Sequence, residues 1–376
     1  MIYFDNAATT FYKPQSVIDT AVSALKEYSF NPRRGGHKQA LLLEEKIFEV
    51  RKKMSILTGC LEENIVFCLN CTQALNMAIL GHAKRGGHVV TTATEHNSVI
   101  RPLYHLKSHG IIDVSVATPN RDGIVECQTI KNLLRNNTYM VVVNHVSNVT
   151  GQAQEIANIG AMLKKYPDVL FVVDSAQSMG FLDCDVTRTG AHILAIPSHK
   201  GLHSIQGCGV LAFRQGCMPR PILYGGTGSD SHLLWQPLTS DGLEAGTLPT
   251  PAILCLSKAI DWWADNFATN SIKVQELNKK LYEGLEILGV TLYSKPNKCG
   301  ICAFNIADVD SSSVADLLAQ KDIAVRGGLH CAPLMHKWLR TDKQGVVRVS
   351  LSAQNTVEEV YTFLNVLEDI KQKLSV

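Results

Sequence analysis

The stretch AHILAIPSHK, residues 191–200, decides the fold because an apolar strand ends there in three polar side chains. Ser198, His199 and Lys200 follow the apolar run directly. Taken alone, a lysine after a strand is an ordinary solvated loop residue. The significance of the triplet therefore depends on what the rest of the chain places beside it.

An apolar strand followed by a helical segment is a pattern that recurs along residues 64–198. The strands are rich in Val and Ile without polar alternation, which is typical of strands buried on both faces of a parallel sheet. This alternation predicts an α/β layered domain. The predicted strands are NIVFCL, HVVTTA, TYMVVVNHV, VLFVVDSA and AHILAIPS, and the helices between them are TQALNMAILGHAK, NSVIRPLYHLKSHG and EIANIGAMLKKYP.

The last third of the chain differs in composition and in its predicted secondary structure. Residues from about 216 to 252 are rich in Gly, Pro, Ser and Thr and predict loops, and a helical stretch follows to about 288. Three strand-like runs and two helices, near 311–320 and from about 356, complete the chain. We expect a large domain over 15–250, a smaller α+β domain over 251–376, and residues 1–14 near the candidate site or on the smaller domain.

Composition narrows the functional class. Of the 376 residues 45% are hydrophobic and 19% are charged, which is enough apolar surface for a full core. The net charge of +2 is scattered, so nucleic acid and anionic membranes are not expected partners. No apolar run approaches the roughly 20 residues of a spanning helix, and MIYFDNAATT lacks the basic start of a signal peptide. We expect a cytoplasmic protein.

The eleven cysteines do not predict a disulfide framework, because their number is odd and their spacing irregular. Two C-x-x-C pairs occur, one formed by Cys68 and Cys71 and the other by Cys299 and Cys302. They lie too far apart in sequence for a zinc ribbon. No metal site is expected.

Functional side chains follow the predicted strands, and ligands of such sheets bind beyond the carboxyl ends of the strands. Lys200 has the reach and chemistry to form a Schiff base with the carbonyl of pyridoxal 5'-phosphate. That cofactor also needs a carboxylate at its ring nitrogen, a phosphate cradle and a flat group over its ring. Asp174, Thr72 and His96 are candidates for these three roles.

Further residues extend the candidate site. Ser198 and His199 add phosphate donors, and Gln177 is placed to reach the phenolic oxygen of the cofactor. Singly, each candidate also has an ordinary explanation: Asp174 as a helix cap or turn residue, Thr72 as an N-cap, and His96 as a turn histidine. Together they fill every role of one site.

Seven motifs in order carry a family resemblance: YFDNAATT, EHNS, HVSNVTG, VDSAQ, SHK, EAGT and RGGLHCAPLMH. The chain resembles the cysteine desulfurases and selenocysteine lyases of the class V aminotransferase superfamily. The resemblance implies a fold-type I pyridoxal-phosphate enzyme with a large domain whose mostly parallel seven-stranded sheet lies between helices, and a smaller C-terminal α+β domain. It also implies a homodimer.

The resemblance assigns roles residue by residue. Lys200, Cys331 and His96 are the implied catalytic residues, with His96 stacked on the cofactor ring and Cys331 as the sulfur acceptor. Thr247 is implied to reach the phosphate of the neighbouring subunit. The other implied cofactor-binding residues are Asp174, Gln177, Cys71, Thr72, Ser198 and His199, and the implied substrate-binding residues are Asn148, Arg348, Arg326 and Ala7.

The implied reaction converts L-cysteine to L-alanine and leaves the sulfur on Cys331 as a persulfide, for transfer to a thiol or an acceptor protein. The alternatives are L-selenocysteine as substrate, another class V reaction of the aminotransferase or kynureninase type, and a sulfur carrier without catalysis. The chain departs from the family at Gln73, Ser204 and Ile205, Leu329 and Gln354. These departures leave substrate preference and acceptor open.

Overall fold

The computed structural model describes residues 1–32, 35–229 and 231–374. The strands are β1 (Ile2–Tyr3), β2 (Ile65–Cys68), β3 (Gly87–Thr92), β4 (Ile112–Ala117), β5 (Thr138–Asn144), β6 (Leu170–Asp174), β7 (Ile193–Pro197), β8 (Gly209–Phe213), β9 (Thr291–Leu292), β10 (Ile301–Asn305), β11 (Ile323–Ala324) and β12 (Val347–Ser350). The helices are α1 (Gln15–Glu27), α2 (Lys38–Thr58), α3 (Cys71–Gly81), α4 (Asn97–Ser108), α5 (Cys127–Leu133), α6 (Ile156–Leu163), α7 (Val186–Thr189), α8 (Thr250–Ile287), α9 (Ser311–Ala319), α10 (Pro333–Leu339) and α11 (Val357–Lys373).

A seven-stranded sheet in the order β2-β8-β7-β6-β5-β3-β4 forms the centre of the larger unit. Strand β8 is antiparallel to both of its neighbours, and every other neighbouring pair is parallel. Because β8 is antiparallel to both β2 and β7, these two strands run in the same direction. The expected α/β fold with a mostly parallel seven-stranded sheet is confirmed.

Residues along each central strand alternate between two hydrophobic clusters. Val141 and Val143 of β5 belong to one cluster, whereas Met140 and Val142 belong to the other. Side chains of consecutive strand residues point to opposite faces, so each face of the sheet has its own core. The first core includes residues of α2, α6 and α8, and the second includes residues of α3 and α4. Burial on both faces explains the uninterrupted apolar runs.

A third cluster organises the C-terminal part. It combines the antiparallel sheet β12-β10-β9 with residues of α9, α11 and the second half of α8. The first half of α8 instead packs into the core of the seven-stranded sheet. One 38-residue helix thus joins both cores. The domain division at residue 250 stays a prediction.

The N-terminal segment contacts both parts of the chain. Strand β1 pairs in parallel with β11, and Phe4 is buried in the third cluster. Farther along, the backbone N–H of Thr10 donates to the carbonyl of His199 at 3.1 Å. In the described parts of the chain, no helix combines the length and the apolar character needed to cross a membrane.

Candidate active site

A pocket of about 230 Å³ lies at the edge of the sheet where the parallel strands end. We call it the inner pocket. The register of the sheet places Asn144 beside Asp174, and Asp174 beside Ala195 of the strand that leads to Lys200. Of the predicted site residues, the inner pocket is lined by Ala7, Cys71, Thr72, His96, Asn148, Asp174, Gln177, His199, Lys200, Arg326 and Arg348.

Asp174 ends β6 and is only 4% exposed. Its Oδ1 accepts the backbone N–H of Ala176 at 2.8 Å and the thiol of Cys71 at 3.6 Å. Burial raises the pKa of Asp174, although the Ala176 N–H and the charge of Lys200 oppose that rise. Among the described residues, no cation lies within ion-pair distance of this carboxylate. A buried carboxylate of this kind needs a cationic partner inside the pocket.

Lys200 follows β7, and its side chain lies in the same pocket. Burial lowers the pKa of Lys200, and the positive charges of Arg348 and Arg326 act in the same direction, against the opposing influence of Cys71 and Asp174. A lower pKa makes more of the neutral amine available, which is the form that acts as a nucleophile or base.

His96, Ser98 and Thr72 form one hydrogen-bonded chain. Nδ1 of His96 accepts the backbone N–H of Ser98 at 3.0 Å, and the hydroxyl of Ser98 lies 2.8 Å from that of Thr72. Because Nδ1 accepts, the proton of the neutral ring sits on Nε2. Burial lowers the pKa of His96 to about 4, and the charge of Lys200 adds to the effect. The ring is therefore a neutral, fixed surface of the pocket at physiological pH.

The first turn of α3 faces the pocket and suits an anion. Asn70 caps the helix by accepting the N–H of Gln73 at 2.9 Å, which leaves the N–H groups of Cys71 and Thr72 at the free helix end. Gly209 allows β8 to lie close to the residue that precedes α3, since a Cβ at Gly209 would lie 2.4 Å from the carbonyl carbon of Asn70. His199 lies nearby, with Nδ1 at 3.0 Å from the hydroxyl of Thr9.

Arg348 of β12 supplies a buried guanidinium that is 1% exposed. Nη2 donates to the carboxylate of Asp5 at 2.6 Å, and Nη1 donates to the carbonyl of Asn148 at 3.0 Å. Nε is buried and has no hydrogen-bond partner within the described parts of the chain. Burial lowers the pKa of Arg348, and Asp5 opposes the shift. Together with Arg326, this side chain can bind a carboxylate through its planar fork.

Cys331 lies outside the inner pocket, in an adjoining pocket of about 440 Å³ that we call the outer pocket. The two pockets share Thr72, His96 and Ser98 as a common wall. Cys331 and His330 both have positive φ angles, 57° and 48°. The carbonyl of Cys331 accepts the N–H of Asn97 at 2.7 Å, so the loop is attached to the start of α4.

Two predicted site residues do not line either pocket. The hydroxyl of Ser198 donates to the carbonyls of Ile205 and Cys208, at 2.9 and 2.7 Å, and closes the loop after Lys200. Thr247 is exposed on the surface. The phosphate contact of Ser198 and the cross-subunit contact of Thr247 stay predictions.

The structure adds residues that sequence reasoning did not assign. Ser98 joins Thr72 to His96, Asn144 ends the strand beside Asp174, and Asp5 pairs with Arg348. The strand-end rule applied to β5 would have found Asn144. Asp5 gives no such signal, because its contact spans 343 positions in the sequence.

Comparisons with known proteins agree with this geometry. The family model described as aminotransferase class-V matches residues 2–363. The chain belongs to this family. A probable cysteine desulfurase of Pyrococcus abyssi is 32% identical over 387 residues, which cover 100% of this chain and 95% of the relative. Cysteine desulfurase IscS of Tolumonas auensis is 30% identical over 338 residues, 88% of this chain and 80% of the relative.

Solved structures place the chain in the same group. An apo structure of a cysteine desulfurase from Thermococcus onnurineus NA1 matches with a TM-score of 0.91 and 31% identity, over 99% of this chain and 95% of that one. The expected resemblance to cysteine desulfurases is confirmed. These are pyridoxal-phosphate enzymes, so the expected cofactor is confirmed at the level of the family.

The pocket fits this cofactor. The buried Asp174 carboxylate has no ion-pair partner in the ranges that the structure describes, and a protonated ring nitrogen would supply one. The free start of α3 suits a phosphate. Asp174, Lys200, His96 and the α3 N-terminus would hold the group. When bound, it supplies a conjugated ring that stabilises negative charge on the substrate Cα. Within the described ranges, no cluster of three or more His, Cys, Asp or Glu is placed to hold a metal ion.

Proposed function

We propose that the protein converts L-cysteine to L-alanine and leaves the sulfur on Cys331 as a persulfide. One observation carries the proposal: a pocket with a partly buried amine, a buried carboxylate and two guanidinium groups shares a wall with a second pocket that holds a cysteine. The first pocket suits a small amino acid, and the second suits the acceptance of its sulfur.

Each residue has a separate role in the proposed reaction. Arg348 and Arg326 bind the substrate carboxylate, and the neutral amine of Lys200 removes the proton from Cα. The thiolate of Cys331 then attacks the substrate sulfur. An S–S bond forms, the Cβ–S bond breaks, and its electron pair stays on the carbon side, which is protonated to give alanine. One cysteine and one enzyme thiol thus give one alanine and one persulfide.

The proposal is tested by incubating the holoenzyme with L-cysteine and quantifying alanine, persulfide and sulfide. We expect alanine in the wild type and loss of at least about 100-fold in Cys331→Ser, because the attacking nucleophile is gone. Cys127→Ser is the control, because Cys127 is partly exposed and lines neither the inner nor the outer pocket. Equal alanine formation by wild type and Cys331→Ser would contradict the persulfide route.

The same experiment separates the rival reactions. An aminotransferase would give a keto acid and would not need Cys331, and a carrier without catalysis would give no alanine. L-selenocysteine is assayed in parallel, since a selenocysteine lyase would release alanine from it in preference to L-cysteine. A kynureninase-type enzyme would leave the sulfur of L-cysteine unreleased.

A homodimer is part of the proposal. Thr247 is exposed, and the preceding loop presents Leu234, Trp235 and Tyr224 at 97%, 70% and 73% exposure. Apolar side chains exposed together commonly mark an interface. A second copy of the chain suits this surface, because it would bring Thr247 to the phosphate site of the partner.

Mixing two weakly active variants tests that arrangement. Lys200→Ala and Thr247→Ala chains are each weakly active if Thr247 serves the partner's site, but their mixed dimer contains one intact site. We expect activity to reappear on mixing, together with a dimeric mass in light scattering. Mixing that restores nothing, or a monomeric mass, would contradict the shared site.

We also propose that a thiol or an acceptor protein takes the sulfur from Cys331 and that the protein works in the cytoplasm. The outer pocket is the route by which a thiol or an acceptor protein would reach Cys331. All eleven cysteines are free, which agrees with a reducing compartment such as the cytoplasm.

A further inference from the structure

Three buried polar atoms beside the inner pocket have no hydrogen-bond partner among the described residues. They are Oδ1 of Asn148, Nε of Arg348 and Nδ1 of His330. The three residues are 8%, 1% and 2% exposed, and all three line the inner pocket. Buried polar atoms are nearly always paired, so atoms left unpaired in a pocket indicate the groups that a ligand supplies.

The ring of His330 can act there only as an acceptor. Its Nε2 lies 3.0 Å from the carbonyl oxygen of Val346, which accepts, so Nε2 carries the proton. Nδ1 therefore presents a lone pair. The amide of Asn148 holds the backbone of His330 by donating to its carbonyl at 2.7 Å. Burial and the charge of Arg348 lower the pKa of His330 well below its usual value, so the ring stays neutral.

The unpaired atoms are complementary to an amino acid whose side chain ends in a proton donor. The free N–H of Arg348 suits a carboxylate, and the lone pair of His330 suits an S–H. The thiol of L-cysteine is protonated at neutral pH. A selenol is a stronger acid and is largely ionised at neutral pH. The selenolate of L-selenocysteine therefore has no proton to donate to Nδ1 of His330.

We propose that His330 is a specificity-determining residue that accepts the S–H hydrogen bond of the substrate and favours L-cysteine over L-selenocysteine. The inference rests on the proposed function and names which of two chalcogens the site takes. It also assigns a role to the side chain next to Cys331 that is separate from the sulfur transfer itself.

Two substitutions test it in the holoenzyme. His330→Leu removes the acceptor, and we expect kcat/KM for L-cysteine to fall about tenfold, the usual size of one lost hydrogen bond in a buried site, while that for L-selenocysteine changes less than about threefold. His330→Asn keeps an acceptor and tolerates the positive φ, so it should retain most of the preference. Leu329→Ala is the neighbouring control. Equal losses for both substrates would overturn the proposal.

A binding measurement gives a readout that does not depend on turnover. In a Cys331→Ser background, calorimetry should show L-cysteine binding about tenfold more tightly than L-2-aminobutyrate, which replaces S–H by a methyl group, and His330→Leu should remove the difference. If His330→Leu does not fold, His330→Asn still decides, because it must preserve the difference. Weakened binding of both ligands in His330→Asn would show that His330 holds their common amine or carboxylate instead. Failure of the proposed function is distinguishable, since the wild type would then form no alanine.

Discussion

The inner pocket and the loop that carries Cys331 are built in different ways. Asp174 ends β6 and Lys200 follows the neighbouring strand β7, so the register of the two buried strands fixes their spacing. Cys331 instead follows Gly327 and Gly328 on a loop where two consecutive non-glycine residues have positive φ. In the proposed function, the groups that act at the substrate carbon are therefore positioned by the sheet, whereas the proposed sulfur acceptor, Cys331, lies on a loop that lines the outer pocket.

The largest expected effect comes from the sheet side. Lys200→Ala removes the amine that we propose as the base for the Cα proton, and we expect alanine formation from L-cysteine to fall at least about 1,000-fold. The exposed Lys165→Ala is the matched control and should behave as the wild type. Substantial activity in Lys200→Ala would show that the end of β7 does not hold the base.

A smaller effect on activity is expected at Arg348, which lines the inner pocket and contacts Asp5 and Asn148. Arg348→Lys keeps the charge but cannot serve both contacts and a carboxylate, since an ammonium lacks the planar fork. We expect KM for L-cysteine to rise about 10- to 100-fold with a smaller change in kcat. Arg121→Lys on the surface is the control. A lower kcat at unchanged KM would remove Arg348 from substrate binding.

The smallest of the three effects tests whether water reaches Glu95 at the edge of the sheet. Glu95 is fully buried, its Oε1 accepts from Thr92 and Asn144, and burial raises its pKa from 4.5 to about 8. Because the folded pKa is the higher one, the stability that the protonated group contributes is complete below about pH 4.5 and is lost as the pH rises towards 8. Glu95→Gln should therefore raise the melting temperature relative to wild type by a few degrees more at pH 8 than at pH 5.

Thermal unfolding at both pH values checks this prediction. Taking the difference between variant and wild type cancels the contribution of the buried histidines, which titrate in both proteins. The same difference at pH 5 and pH 8 would mean that water reaches Glu95 and that the edge of the sheet is not desolvated.

Much of the fold followed from the sequence because the central strands are buried on both faces. Their apolar runs and their order gave the parallel part of the sheet, and the strand-end rule gave Asp174 and Lys200. Strand β8 was not predicted, because its antiparallel pairing with β2 and β7 depends on contacts far apart in the chain. Edge strand β4 was also missed, since its exposed Asp113 interrupts the apolar pattern.

The limits at the site have the same physical origin. The local sequence predicts which residues follow a strand, but it does not predict the hydrogen-bond partner of each side chain. The hydroxyl of Ser198, for example, bonds within its own loop, and Arg348 pairs with Asp5 from the opposite end of the chain. The unpaired Nδ1 of His330 likewise depends on the carbonyl of Val346, sixteen positions away.

The most direct test of the account is to locate the sulfur. The protein is incubated briefly with L-cysteine, its thiols and persulfides are alkylated, and its peptides are mapped by mass spectrometry. We expect one additional sulfur atom on the peptide that contains Cys331, formed in step with alanine. Additional sulfur on Cys71 in the inner pocket, or alanine formed without any protein persulfide, would contradict the division of labour between the sheet and the loop.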